Sequence, residues 1–430
     1  MTTPLSRRAS LAVLAGAAAL PLAPAARALS PAPWQSLIPA VAAPDGSIPG
    51  WKRLGGHAPY RLDGREIVGT SVEKSPNSFL VSEELFDDFI LECRVRTDPR
   101  LNTGIMIRSE AKPDYRDGVV HGYQVEIDPS ARRWTGGIYD EQRRLWLDPP
   151  SDRPATLAAF RSGDWNHLRV EAVGNRIRTW LNGLPAANLV DEMTPRGFFG
   201  LQVHDVGSDP ANAGLEVRFR DLLVITDDPG RYARPLSPAD ERDFIANHLT
   251  AERAAIGWRL LWDGRGGGGW SGLSGAGWSI RDGAIRCDGA QTPLVSADRV
   301  ADFELELDVL AGEGADGAVG YLGSALYHLA QGPQGQGEAA SGSLSLGGNA
   351  IKVPARNLSD PNPDKPSMKP AGQWNRVYIR VQGDRVEHWL NGSKLLEGSR
   401  AALGLPASGP VLLRPGSGTL SFRSIRLRPL

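Results

Sequence analysis

Asp164-Trp-Asn-His-Leu-Arg-Val-Glu-Ala-Val-Gly-Asn-Arg-Ile-Arg-Thr-Trp-Leu-Asn-Gly183 returns further along the chain as Gln373-Trp-Asn-Arg-Val-Tyr-Ile-Arg-Val-Gln-Gly-Asp-Arg-Val-Glu-His-Trp-Leu-Asn-Gly392, without a gap. The offset is constant, since 374 − 165 and 392 − 183 both give 209. Echoes flank it in the same order: Asp88-Phe-Ile-Leu-Glu92 against Asp302-Phe-Glu-Leu-Glu306, and Phe219-Arg-Asp-Leu222 against Phe422-Arg-Ser-Ile425. One module is therefore written twice. The Asn-Gly pairs that end both stretches need positive φ and mark two-residue hairpin turns, so their recurrence is structural. Trp165-Asn166 and Trp374-Asn375 also recur and read as defining the fold rather than a chemistry.

A chain of 430 residues exceeds what one hydrophobic core serves, and an offset near 200 residues fits two domains. With 50 Gly, 33 Pro and 12 Trp, and short alternating segments punctuated by turn residues, the composition points to all-β domains packed sheet on sheet. Formal charge is −1, from 48 basic and 49 acidic residues, so there is no electrostatic footprint for nucleic acid or an anionic membrane. The first copy is expected over residues 33–227 and the second over 257–430. Between them, in residues 228–256, Ser237-Pro-Ala-Asp240 supplies an N-cap, a first-turn proline and an acidic residue, which predicts a linker helix of about four turns. Gly264-Arg-Gly-Gly-Gly-Gly-Trp270 lacks the Lys-Ser/Thr ending of a phosphate loop and reads as a turn. Residues 331–370, rich in Gly, Pro and Ser, read as long loops at a sandwich edge.

The N-terminus carries Arg7-Arg8, a short apolar run and Ala26-Arg-Ala28, the pattern of a twin-arginine-type signal peptide over residues 1–28. Export to the periplasm or medium is the expectation, with no membrane span in the mature chain. Cys93 shares one face of its strand with Phe89, Leu91 and Val95 and is expected to be a core thiol. A bridge to Cys287 would have to cross between the copies, which an exported location permits without requiring.

In the first copy three segments aim polar side chains away from the core. Gly122-Tyr-Gln-Val-Glu-Ile-Asp128 puts Gln124, Glu126 and Asp128 on the face opposite Tyr123, Val125 and Ile127. Gly200-Leu-Gln-Val-His204 does the same for Gln202 and His204, and Gly104-Ile-Met-Ile-Arg108 for Met106 and Arg108. If these strands are neighbours, one face gathers a base, an acid and a cation. A solvated sheet face also alternates, but Gln, Glu, Asp, Arg and His are groups that bind hydroxyls and move protons. Tyr123, Trp134, Tyr139 and Trp146 nearby suit the apolar faces of sugars. The second copy lacks this set, with Gly317-Ala-Val-Gly-Tyr321 and Leu412-Leu-Arg-Pro415 at the matching strands. The active site is therefore expected in the first copy, with the second as support, binding face or lid.

At these residues the chain resembles the 3-keto-disaccharide hydrolase domain family. The resemblance rests on Asp88-Phe-Ile-Leu-Glu92, Asn102-Thr-Gly-Ile105 with Arg108, Gly122-Tyr-Gln-Val-Glu126, Thr135-Gly-Gly-Ile-Tyr139, Trp180-Leu-Asn-Gly183, Leu201-Gln-Val-His204 and Phe219-Arg220. The second copy resembles the family through Leu260-Leu-Trp-Asp-Gly264, Gln373-Trp-Asn375, Trp389-Leu-Asn-Gly392 and Phe422-Arg423. The resemblance implies tandem concanavalin-like β-sandwich (jelly-roll) domains joined by a short helical linker. It also implies substrates already oxidised at C3 of the sugar, and hence a separate sugar 3-oxidoreductase that supplies them.

A 3-ketone acidifies the C2 proton, so a base removes it, the C1 aglycone leaves by elimination and water adds back. On this reading His204 or Glu126 is the base, Arg108 stabilises the enolate, and Tyr139 or Asp128 donates a proton or binds sugar. Asn102, Gln124, Gln202, Trp134 and Asp140 join Asp128 as candidate sugar ligands. A divalent cation held by His204 with Glu126 or Asp128 is the alternative electrophile. A carbohydrate-binding protein without catalysis and an exported structural protein are the competing readings, since fold alone does not fix function.

Overall fold

The repeated hairpin forms as the sequence dictates. In the computed structural model, which describes residues 32–332, 340–347, 350–363 and 367–430, strands Asn166–Val173 and Arg176–Leu181 pair antiparallel, with Val170 opposite Thr179. In the second copy Trp374–Gln382 and Arg385–Leu390 pair with Ile379 opposite His388. The turns that carry Asn182 and Asn391 have φ of 49° and 50°, followed by glycines at 87° and 81°. That left-handed pair is what a tight hairpin demands. The repeated tryptophans lie under repeated arginines, Arg220 4.0 Å from the Trp165 ring centre and Arg423 4.0 Å from that of Trp374. This explains why Trp-Asn and Phe-Arg recur together.

Each copy is a two-sheet sandwich. The first packs a nine-stranded sheet, which holds the hairpin, against a seven-stranded one. The order in the latter is Leu145–Asp148, Ile138–Glu141, His121–Ile127, Thr103–Glu110, Phe198–Val203, Ser78–Ser82, Trp51–Gly55. Phe89, Leu91, Cys93 and Val95 from one sheet meet Ile105, Ile107, Val125, Ile127, Leu201 and Val203 from the other. Burying such side chains stabilises the fold by about 1.5–3 kcal/mol each. The second copy repeats the plan with eight- and seven-stranded sheets around Phe303, Leu305, Tyr321, Val377 and Phe422. The fold is all-β, two jelly-roll sandwiches in tandem. Cys93 and Cys287 are both buried and free, one in each core. Among the described residues no helix is long and apolar enough to cross a membrane. The expected signal segment, residues 1–28, lies outside the described residues.

The linker differs from the four-turn helix expected. Ser237 does cap a turn, accepting from the Ala239 amide at 3.2 Å, but the turn is a single 3-10 unit, Pro238–Asp240. Arg242–Asp243 then pairs in parallel with Leu189 and Val190 of the first copy, which takes the backbone groups a helix would have used. A short helix follows only at Ala251–Ala255.

The linker is tied to both sandwiches. Toward the first, Glu241 pairs with Arg176 and Arg242 with Asp152, the latter at 2.7 Å. Toward the second, Arg253 and Arg426 reach buried Glu306 at 3.1 and 2.8 Å, and Arg426 also donates to the carbonyls of Ile245 and His248. Three guanidiniums around Glu306 outweigh its burial and hold its carboxyl far below the usual range. The sandwiches also touch directly. Ser151 donates to the Gly392 carbonyl, and a Cβ at Gly392 would stand 2.5 Å from Pro149. Residues 34–430 accordingly form one compact unit.

Candidate functional site

Alternation along His121–Ile127 sends Tyr123, Val125 and Ile127 into the core and leaves Gln124 and Glu126 on the outer face of the seven-stranded sheet. Phe198–Val203 does likewise, with Leu201 and Val203 inward, Gln202 outward and His204 just beyond. Ile138–Glu141 adds Tyr139 and Glu141. These side chains line a cavity of about 350 Å³, within the range of small-molecule sites. Gly104 faces Glu126 across the strand pair, and a Cβ there would stand 2.6 Å from the Gln124 side chain, so a larger residue would displace Gln124 from the cavity floor.

The cavity wall is aromatic. Trp134 and Trp146 meet edge to face at 4.8 Å, and Tyr139 meets Trp146 at 5.2 Å. Arg132 lies 4.7 and 5.5 Å from the two indole centres. Asp128 organises this wall from behind, accepting from the Ser130 and Trp134 amides and from Arg132 Nε at 3.0 Å.

Electrostatics set the acid–base groups apart. Glu126 is buried, and that desolvation raises its carboxyl to about 8 although Asn102 Nδ2 donates to it at 2.6 Å. Desolvation thus favours its protonated form at neutral pH. Glu141 is also pushed up by burial, against the amides of Gln142 and Asn77 at 3.3 and 3.2 Å. Burial and the two neighbouring glutamates push the Tyr139 phenol well above its usual value. His204 Nδ1 lies 2.6 Å from the Asp205 carbonyl, which can only accept, so Nδ1 carries a hydrogen and in the neutral ring the lone pair falls on Nε2. Asn77 ties the two sides together, since its Oδ1 accepts from the Asp205 amide at 2.8 Å while its Nδ2 holds Glu141. Gln202 borders the cavity, is 1% exposed, and its Oε1 is buried without a hydrogen-bond partner.

The structure thus brings together His204, Glu126, Tyr139, Asn102, Gln124, Gln202 and Trp134. It does not bring Arg108. The backbone there turns to φ 44° and the register with both neighbouring strands shifts, so the alternation that would aim Arg108 at the cavity is broken. Its guanidinium instead donates to the carbonyls of Asp87 and Gly174 and pairs with Asp88 at 2.8 Å. Asp128 lies past the strand end and serves the loop as described. Asp140 points away, fully buried against Arg143 at 2.7 Å and Arg144 at 2.5 Å. With Asp128 turned aside, His204, Glu126 and Asp128 make no ligand set. Among the described residues no group of three or more His, Cys, Asp or Glu side chains is placed to hold a metal ion.

Sequence reasoning missed Glu141, Arg132 and Asn77. Glu141 was within reach of the same alternation, because it shares a strand face with Tyr139. The second copy contributes more than the support, binding face or lid expected of it. Asn357, Asp360, Ser367, Met368, Lys369, Asn391 and Ser393 form the facing wall, so the site lies between the sandwiches rather than within the first. Arg132 and Asp360 approach across it at 3.9 Å.

No curated protein matches the chain. Among solved structures it is similar to a candidate glycosyl hydrolase from Parabacteroides distasonis, at 21% identity over 43% of this chain and 100% of that one, with a TM-score of 0.35. It is also similar to carbohydrate-binding module CBM66 from Bacillus subtilis, at 19% identity over 40% of this chain and 93% of that one, with a TM-score of 0.29. The description "3-keto-alpha-glucoside-1,2-lyase-like domain" matches residues 33–225 and again 257–428, one match to each sandwich. The chain therefore belongs to the 3-keto-alpha-glucoside-1,2-lyase-like domain family, a family of glycoside-processing domains, and carries two copies of it in tandem.

Proposed function

We propose that the protein cleaves glycosides oxidised at C3 by elimination across C1 and C2, followed by hydration. The observation that carries this reading is the meeting, in one cavity, of the His204 imidazole, held through Nδ1 by the Asp205 carbonyl, with a buried glutamic acid whose carboxyl desolvation pushes up. His204 Nε2 takes the C2 proton as the C–H electron pair forms C2=C3 and the carbonyl pair moves onto oxygen. When the carbonyl re-forms, C1=C2 forms, the bond from C1 to the aglycone oxygen breaks, and the alcohol leaves with the proton of Glu126. Water then adds to C1 as C2 is reprotonated, which completes a net hydrolysis. Trp134 and Trp146 supply the apolar wall for the sugar ring, and the amide side chains of Gln202 and Asn102, which line the same cavity, supply hydroxyl ligands. Oxidised glycosides require a separate oxidoreductase acting before this protein, and an exported location fits the Arg-Arg leader.

A second reading is favoured by one observation: Glu126 and Glu141 both line the cavity and both are pushed up by burial. Two carboxyl groups flanking a glycosidic bond are the ordinary equipment for hydrolysing an unoxidised glycoside. Incubation with a 3-keto-glucoside and with its parent glucoside separates the cases. Aglycone release from the ketone alone supports elimination, and release from the parent at equal rate supports the carboxylate pair. Affinity without product would make the protein a binding module.

A further inference from the structure

Elimination needs a group that holds the C3 oxygen while charge develops on it. Arg108, the residue that sequence pattern suggests, is spent elsewhere, and Arg132 is engaged by Asp128 and the two indoles. We propose that Lys369, supplied by the second copy, is that group: its ammonium donates to the C3 carbonyl oxygen and stays on it in the enolate. This rests on the eliminative reading above.

Three observations lead to Lys369. It lines the cavity, is 6% exposed, and among the described residues its Nζ has neither an ion pair nor a hydrogen bond. A cation buried without a partner is costly, and a site that binds an electron-rich oxygen offsets the cost. Its backbone is held by a device that the repeat supplies. The Lys369 amide donates to Asn375 Oδ1 at 2.7 Å, and Asn391 Nδ2 donates to the Ser367 carbonyl at 2.7 Å and to Asn375 Oδ1 at 2.8 Å. In the first copy Asn166 and Asn182 clamp the corresponding segment through the Arg161 amide at 2.9 Å and the Ala159 carbonyl at 2.8 Å. There the segment presents an exposed Arg161. In the second copy the same clamp delivers Lys369 to the cavity of the first. Burial and Arg144, with a smaller push from Arg376, lower the ammonium to about 7 against the opposing pull of Asp140 and Asp308, which sharpens it as a proton-sharing donor. Arg144 and Arg376 also border a second cavity behind Lys369, so the lysine stands as the partition between the two. The tandem copy that lost the acid–base set thus completes the site of the copy that kept it.

The test uses the full chain with Lys369→Met and Lys369→Arg. Turnover is measured on a 3-keto-glucoside, and affinity is measured calorimetrically for 1,5-anhydroglucitol and its 3-keto form, which has no leaving group. Lys369→Met is expected to lower kcat by about 10²–10³-fold and to abolish the wild-type preference for the keto ligand. Lys369→Arg is expected to regain part of both. Thermal unfolding of each variant controls for folding, and Met in place of an unpartnered buried cation is expected to leave Tm unchanged or raised. If Lys369→Met keeps kcat within threefold of wild type and keeps the keto preference, the assignment is overturned while the eliminative reading stands. If wild type releases no aglycone but prefers the keto ligand, and Lys369→Met loses that preference, the eliminative reading falls and Lys369 stands as the ketone ligand. A wild type with neither turnover nor keto preference overturns both.

Discussion

Replacing Glu126 by Gln removes the proton donor yet keeps the shape of the side chain and its contact with Asn102 Nδ2 at 2.6 Å. Activity and stability should then move in opposite directions. The sign follows from linkage. Burial raises the folded-state value from 4.5 to about 8, so below pH 4.5 both folded and unfolded chains hold the proton and the glutamate costs nothing extra. Between 4.5 and 8 the unfolded chain ionises while the folded one does not, and stability falls as pH rises. Above 8 both are ionised and the full desolvation cost remains. At ~1.4 kcal/mol per pH unit the upper limit is about 5 kcal/mol, and relaxation of the site reduces the expected gain for Glu126→Gln to about 1–3 kcal/mol at pH 8. Urea unfolding of both proteins at pH 4.5, 6 and 8 measures the widening gap, and turnover of a 3-keto-glucoside should fall by about 10²–10⁴-fold in the same variant. A variant less stable than wild type at pH 8, or one that keeps its kcat, would refute the assignment of Glu126 as a buried, protonated acid.

Arg108→Met should lower stability by about 2–4 kcal/mol, because it removes the guanidinium's bonds to the Asp87 and Gly174 carbonyls and its ion pair with Asp88, while kcat per folded molecule stays within about threefold of wild type; denaturant unfolding with active-fraction correction reads both. Asn77→Ala releases Glu141 and the Asp205 amide together, and turnover should fall about tenfold with less than ~1 kcal/mol lost from the fold, checked by kinetics and unfolding on one preparation. Trp146→Ala strips the edge-to-face wall that Trp134 and Tyr139 share, so KM should rise about tenfold with kcat little changed in steady-state kinetics on the same ketone.

Much of the fold was legible because two-residue periodicity is a local signal and the 209-residue echo shows by direct comparison of the chain with itself. The same periodicity delivered Gln124, Glu126, Gln202 and His204 to one face. It failed at Arg108, where a bulge re-aims the side chain, since a pleat pattern carries no warning of a positive φ at a non-glycine residue. Asp140 adjoins Tyr139 in sequence, but Glu141, two residues from Tyr139, is the one that shares its face. The linker shows another limit: Ser-Pro-Ala-Asp nucleates a turn, but pairing of Arg242–Asp243 with a strand of the first sandwich stops the helix, and that partner is distant in sequence. Lys369 was out of reach for the same reason. Its segment reads as loop, and only the docking of one sandwich on the other turns it toward the cavity.

The most direct measurement is turnover of a 3-keto-glucoside in deuterium oxide, with the released sugar followed by NMR. The account predicts that wild type incorporates one deuterium at C2 for each aglycone released, and that His204→Gln loses both release and incorporation. Release of aglycone with protium retained at C2 would contradict it.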